Sequence, residues 1–264
     1  MQSYTMGLDK EFHIQVSCED VGQYVILTNN SSHAKEIASY LSNSKKVGDN
    51  CEFVTYTGLI DYMPVSVVST GVGGPSTAIM MEELIRLGCH TFLKVGRCEG
   101  MHLDVKNGDV VVASGAIRDE GTTRTYSPIE VPAVPSYEIL GECVSVLKNS
   151  TLPYHVGIVH SKDAFYPHHM LDTMPLKDKI SKRWDSYCKL DVLATEMETS
   201  TVFVVGQTRH VRTGAILQCI ANYEREKSGL SVGSDHDLTF LNETSLKIIK
   251  QLIQDDQKKE STSN

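Results

Sequence analysis

The sequence predicts an α/β fold, and three observations carry that expectation. Short apolar runs rich in β-branched residues recur at 24–27, 65–69, 91–95 and 109–114. Helix-like apolar spacing separates several of them. A glycine turn at 69–77 joins one run to a helix start, the order of an alternating α/β chain. A length of 264 residues suits one domain at the top of the usual range. The expected organisation is a single domain over 1–254 and a polar tail over 255–264.

The runs 24–27 and 65–69 read as strands. The helix over 75–87 is sharply bounded. Gly73-Gly74-Pro75-Ser76 starts it, Ile79, Met80, Leu84, Ile85 and Leu87 form its apolar face, and Gly88 stops it. Strands follow at 91–95 and 109–114, and further helices at 136–148, 199–207 and 238–253. The segments 118–134 and 166–184 hold Pro, Asp and Lys and read as loops, a length that marks functional or mobile segments. The charged tail is expected to fray.

Hydrophobic residues at 41% and charged residues at 22% place the chain among globular proteins. A formal net charge of −8 disfavours general nucleic-acid binding, so an anionic ligand needs a local basic pocket. The seven cysteines are scattered, with no C-x-x-C pair, and read as reduced thiols. The polar start lacks the apolar stretch of a signal peptide, and no window is long enough to span a bilayer. A cytoplasmic protein without membrane contact is expected.

The glycine turn Ser69-Thr70-Gly71-Val72-Gly73-Gly74-Pro75-Ser76-Thr77 lets backbone approach a ligand closely. It is followed by Phe92-Leu93-Lys94-Val95-Gly96, Gly108-Asp109-Val110-Val111-Val112, Phe165-Tyr166-Pro167 and Thr195-Glu196-Met197-Glu198-Thr199. In this order and spacing the segments resemble the uridine phosphorylase branch of the nucleoside phosphorylase family, over about 6–253. The resemblance implies a three-layer α/β/α fold with a twisted mixed central sheet. It also implies a homodimer or trimer of dimers with sites near subunit boundaries, and no cofactor. The implied reaction is phosphate-dependent cleavage of a nucleoside to free base and ribose 1-phosphate.

Position by position, the resemblance puts Glu196, Met197 and Glu198 under the ribose, where a carboxylate accepts from a diol. Phe165 falls against ribose and base. Glu52, Val72 and Ser76 match positions that hold a structural monovalent cation between two subunits, with suitably hard oxygen ligands. Elsewhere the match breaks down. The phosphate loop reads Asn29-Asn30-Ser31-Ser32-His33, with His33 where the family has arginine. Lys94 and Cys51 stand at two further arginine positions, and bidentate guanidinium geometry is lost. Arg97 replaces a threonine that touches phosphate and ribose.

Two readings of Arg97 stand: with Lys94 and His33 it rebuilds a phosphate site, or it fills the pocket and pairs with Glu99 or Glu198. The glutamine and arginine that read uracil match His169 and Leu171, and a further arginine matches Tyr223. Losing such partners removes ordinary uracil selectivity. The histidine that reaches a neighbour's ribose matches Thr5. His168 and His169 read as polar loop residues rather than a metal pair.

Two classes of function therefore stand side by side. One is a nucleoside phosphorylase, a pentosyltransferase of pyrimidine-salvage type, with altered phosphate and base sites. The other is a catalytically impaired paralogue that binds a nucleoside or serves as a dimer partner, including in a heteromer. Hydrolysis ranks third, because no aspartate stands near Asn222 to protonate a leaving purine.

Overall fold

The computed structural model describes residues 9–233 and 237–263. In chain order the elements are β1 (Tyr24–Thr28), α1 (Ser31–Ala38), β2 (Ser42–Asn50), β3 (Phe53–Ile60), β4 (Met63–Ser69), α2 (Gly74–Arg86), β5 (Thr91–Gly100) and β6 (Val110–Asp119). They continue with α3 (Tyr137–Lys148), β7 (Tyr154–Lys162), α4 (Tyr166–His169), α5 (Lys177–Lys189), β8 (Ala194–Glu196), α6 (Thr199–Arg209), β9 (Arg212–Asn222), α7 (Tyr223–Lys227) and α8 (Thr239–Ser263). Thr5 and Asn264 lie outside the described residues.

The described strands form one mixed nine-stranded sheet in the order β2-β3-β4-β1-β5-β8-β7-β6-β9. Strand β9 also pairs in parallel with β5, closing the second half of the sheet into a ring. Strand β1 pairs in parallel with both β4 and β5. Its five residues are all buried because helices cover both faces. Leu27 and Phe92 point to the side packed by Met80 and Phe203 of α2 and α6. Ile26 and Leu93 point to the other, against Ile37, Ile139 and Leu252 of α1, α3 and α8. The expected mixed sheet between helical layers is the observed one.

Three expectations are corrected. The segment 166–184 is not a plain loop, since α4 and most of α5 occupy it. Helix α5 buries none of its residues fully, and its narrow apolar face of Ile180, Trp184, Tyr187 and Cys188 lies among charged residues that read as loop. The tail does not fray over 255–263, because α8 runs on through Ser263. Asp256 anchors it, accepting from Arg212 Nη1 at 2.8 Å and Nη2 at 2.5 Å, and from the Tyr24 hydroxyl at 2.7 Å. The segment 118–134 is irregular as expected, yet it is pinned. Buried Arg118 donates to the carbonyls of Thr123, Ser127, Pro128 and Val131. No helix among the described residues is long and apolar enough to cross a membrane.

Candidate active site

The C-terminal ends of β1, β4 and β5 open on one cleft, where an α/β sheet places ligands. After β1 the chain turns through Asn29 and Asn30. The Asn30 side chain caps α1 by accepting from the His33 N–H at 2.9 Å. After β4 the turn needs positive φ at Gly71 (69°) and Gly73 (93°), conformations that glycine adopts without strain. Strand β5 brings Lys94, Gly96, Arg97, Cys98 and Glu99 to the cleft region. Its pairing with β9 slips between Cys98 and Glu99, a bulge that re-aims the side chains beyond it.

Two adjoining lobes result, of about 250 and 300 Å³. Glu99 and Phe165 line both. The smaller lobe has Glu196, Met197, Glu198, His33, Val72 and Arg97 in its walls.

Beneath the smaller lobe lies a buried charged cluster. The Lys94 ammonium donates to Glu196 Oε2 and, at 2.8 Å, to Glu198 Oε2. Glu198 Oε1 also accepts from the Gly73 N–H at 2.7 Å, which ties the β4 turn to the start of α6. Glu196 accepts from the Ser161 hydroxyl and from the N–H groups of Glu198 and Thr199, at 2.8 and 2.9 Å. Burial by itself pushes the Lys94 pKa down, but the two carboxylates outweigh it and hold the group above its ordinary value. Burial also opposes ionisation of Glu196, yet Lys94, Ser161 and the backbone donor hold its pKa below normal. Lys94, expected at the phosphate, lines neither lobe and faces the two carboxylates.

His33 lines the smaller lobe, with one ring nitrogen already engaged. Its Nε2 lies 2.7 Å from Asn242 Oδ1, and the Asn242 amide donates to Glu36. The ring nitrogen is therefore the donor and is already used. Burial pushes the His33 pKa down, which favours the neutral ring. Arg97 is different: it is exposed in the cleft, and its side chain makes no hydrogen bond or ion pair among the described residues. The pairing expected for it is taken up elsewhere, since Glu198 binds Lys94 and Glu99 faces Lys162 and His169.

The larger lobe holds Phe165, His169 and Tyr223, the residues expected against the base. His169 stacks on Phe165 with ring centroids 4.0 Å apart, and its Nε2 lies 3.1 Å from Glu99 Oε2. Lys162 Nζ donates to the same oxygen at 3.3 Å and sits 5.4 Å from the Phe165 ring centre. Burial pushes the Lys162 pKa down, against the pull of Glu99. Tyr223 lines the lobe but is largely exposed, and Trp184 donates to Glu224 at 2.8 Å across its wall. His168 is half-buried, with a pKa lowered to about 4 by burial, so it is neutral at ordinary pH. Asn222 points away from the lobe, donating to the carbonyls of His102 and Val105, both at 2.8 Å. Sequence reasoning missed Lys162 altogether. The signal was a lysine three residues ahead of the recognised Phe165-Tyr166-Pro167 segment.

Of the three residues expected at a cation, Ser76 donates to Glu52 Oε1 at 3.0 Å and to the Thr70 carbonyl at 2.5 Å. Val72 is exposed in the same turn.

Comparison with known proteins bears on the family and the fold. The sequence profile of the Phosphorylase superfamily matches residues 23–252. A uridine phosphorylase of Treponema pallidum is 43% identical over 248 residues, covering 94% of this chain and 96% of that protein. A guanosine phosphorylase of Halorubrum lacusprofundi is 35% identical over 228 residues, 86% of this chain and 89% of that protein. The crystal structure of a uridine phosphorylase from Vibrio fischeri superimposes with a TM-score of 0.79 at 28% identity, covering 92% of this chain and 96% of that one.

Proposed function

The chain belongs to the phosphorylase superfamily, in its uridine phosphorylase branch, and from that premise we propose that its cleft exchanges the base of a nucleoside for phosphate. A phosphate oxygen bonds to the anomeric carbon, the carbon–nitrogen bond breaks, and its electron pair leaves with the base. The products are free base and ribose 1-phosphate. The transition state carries positive charge on the sugar and negative charge on the base, so the site must stabilise both.

The observation that supports this reading best is the placement of Glu196, Met197 and Glu198 below a lobe that opens on an unpaired arginine on one side and a base-sized cavity on the other. Glu198 keeps acceptor capacity beyond its bonds to Lys94 and Gly73, enough to receive ribose hydroxyls. Arg97 is the phosphate anchor, beside the Asn29–Asn30 turn. Phe165, His169 and Tyr223 face the base.

One observation favours the alternative of an impaired paralogue that binds a nucleoside. Lys94, Lys162 and Arg97 are balanced by Glu99, Glu196 and Glu198, so the cleft offers a phosphate little net positive charge. Assaying nucleosides with and without phosphate separates the two: phosphate-dependent base release supports the enzyme, and thermal stabilisation by a nucleoside without release supports the paralogue. Under the enzyme reading the protein works in the cytoplasm as a homodimer or trimer of dimers. Glu52 and Ser76, with Val72 in the same turn, are the residues that would hold a monovalent cation shared between two subunits.

A further inference from the structure

Two thiols meet inside the sheet and have no part in cleavage. Cys98 of β5 and Cys219 of β9 are direct partners in the parallel pairing, immediately ahead of the bulge that separates Cys98 from Glu99. Both are buried, in the apolar cluster that also holds Met80 of α2 and Phe203 of α6. Neighbouring strands lie about 4.8 Å apart, inside the roughly 4.4–6.8 Å that a disulfide spans between Cα atoms. Cys98 also lines the smaller lobe, so one sulfur of the pair can be reached from the cleft. The Cys98 thiol donates to Cys219, and this bond, with the Gly100 N–H, holds the Cys219 pKa below its ordinary value. Cys89 and Cys143 are also buried, but burial pushes each of those thiols up to about 12. They stay inert.

We propose that Cys98 and Cys219 form an oxidation site, a dithiol that hydrogen peroxide converts to a disulfide, and that the bond disturbs the cleft through Arg97 and Glu99 on either side of Cys98. The Cys98 sulfur attacks one peroxide oxygen, the O–O bond breaks, and hydroxide leaves with the thiol proton as water. Cys98 is then a sulfenic acid. The Cys219 sulfur attacks the Cys98 sulfur, the S–O bond breaks, and a second water leaves with the Cys219 proton. Two electrons pass from the sulfur pair to the peroxide, which is reduced to two waters. Cys219 suits the second step, because the thiolate is the attacking form and the Gly100 N–H favours it. The new bond draws the Cys98 sulfur toward β9 and tightens the strands at the bulge that aims Glu99. Thiol exchange with a reductant reverses it. Oxidation at this pair does not depend on what the cleft turns over.

The test treats the reduced, folded full chain with hydrogen peroxide, blocks the remaining thiols by alkylation and maps the peptides by mass spectrometry. The Cys98 peptide should be joined to the Cys219 peptide within one molecule, and dithiothreitol should release both. Cys219→Ser should abolish the cross-link and let Cys98 run on to the sulfinic acid. Should that variant fail to fold, the wild-type map still decides. Cys98 and Cys219 recovered as free thiols after the exposed Cys18 and Cys51 have been oxidised would overturn the proposal, as would a sulfinic Cys98 beside a free Cys219 in the wild type. The cross-linked protein should also lose the thermal stabilisation that a nucleoside gives the reduced protein, and regain it with dithiothreitol. Equal stabilisation of both forms would overturn the effect on the cleft. If no nucleoside stabilises the reduced protein, the nucleoside reading fails alone, because the peptide map still reports the dithiol.

Discussion

Lys94 shows how one side chain sets the character of the site. Its ammonium neutralises two carboxylates that could not otherwise be buried together. Lys94→Met should destabilise the fold by about 3–5 kcal/mol at pH 7, as read by urea unfolding. The penalty should shrink in acid, as the stranded carboxylates take up protons. In the native protein the signs run as follows with pH. Glu196 has a lowered pKa, so its contribution is present above the ordinary value of 4.5 and is lost as pH falls through the lower folded value. Lys94 has a raised pKa, so its contribution is present below 10.5 and is lost as pH rises through the higher folded value. Glu198 was legible in sequence because it sits in a recognisable Glu-Met-Glu segment. Its partners were not: Gly73 and Lys94 are 125 and 104 residues away, and only the sheet brings them together. Lys94 read as a phosphate ligand because a cation near an anion site looks free until its counter-ions are placed.

The elements differ in how plainly they are written. Strand β1 and helix α2 could be read because both lie against the core and carry the matching apolar pattern. Strand β2 reads Ser-Asn-Ser-Lys-Lys-Val-Gly-Asp-Asn and is mostly exposed, so its pairing with β3 defines it rather than its composition. The turn into α2 joins structure and site. Gly73→Ala puts a Cβ on a backbone with φ of 93° and disturbs the N–H that holds Glu198. It should cost about 1–3 kcal/mol in unfolding experiments and reduce nucleoside binding. At the other end of the chain, truncation after Gln254 strips Arg212 and Tyr24 of Asp256. A stability loss of about 1.5–3 kcal/mol is expected; unchanged thermal unfolding would mean that the last turns of α8 carry no weight.

For the molecule as a whole, closure of β5, β8, β7, β6 and β9 into a ring brings Arg97 and Glu99 of β5 and Lys162 of β7 into one lobe with the turns that follow β1 and β4. In the proposed reading a nucleoside lies with its sugar over the buried glutamates and its phosphate partner at Arg97. That arrangement depends on Arg97 standing in for the missing guanidinium groups. The most direct check is base release from guanosine and uridine by the purified protein, with and without phosphate, beside Arg97→Ala. Release that requires phosphate and yields equimolar ribose 1-phosphate is expected, with the phosphate KM of Arg97→Ala raised by about 10-fold or more. Release at the same rate in phosphate-free buffer, or no release from any nucleoside, would contradict it.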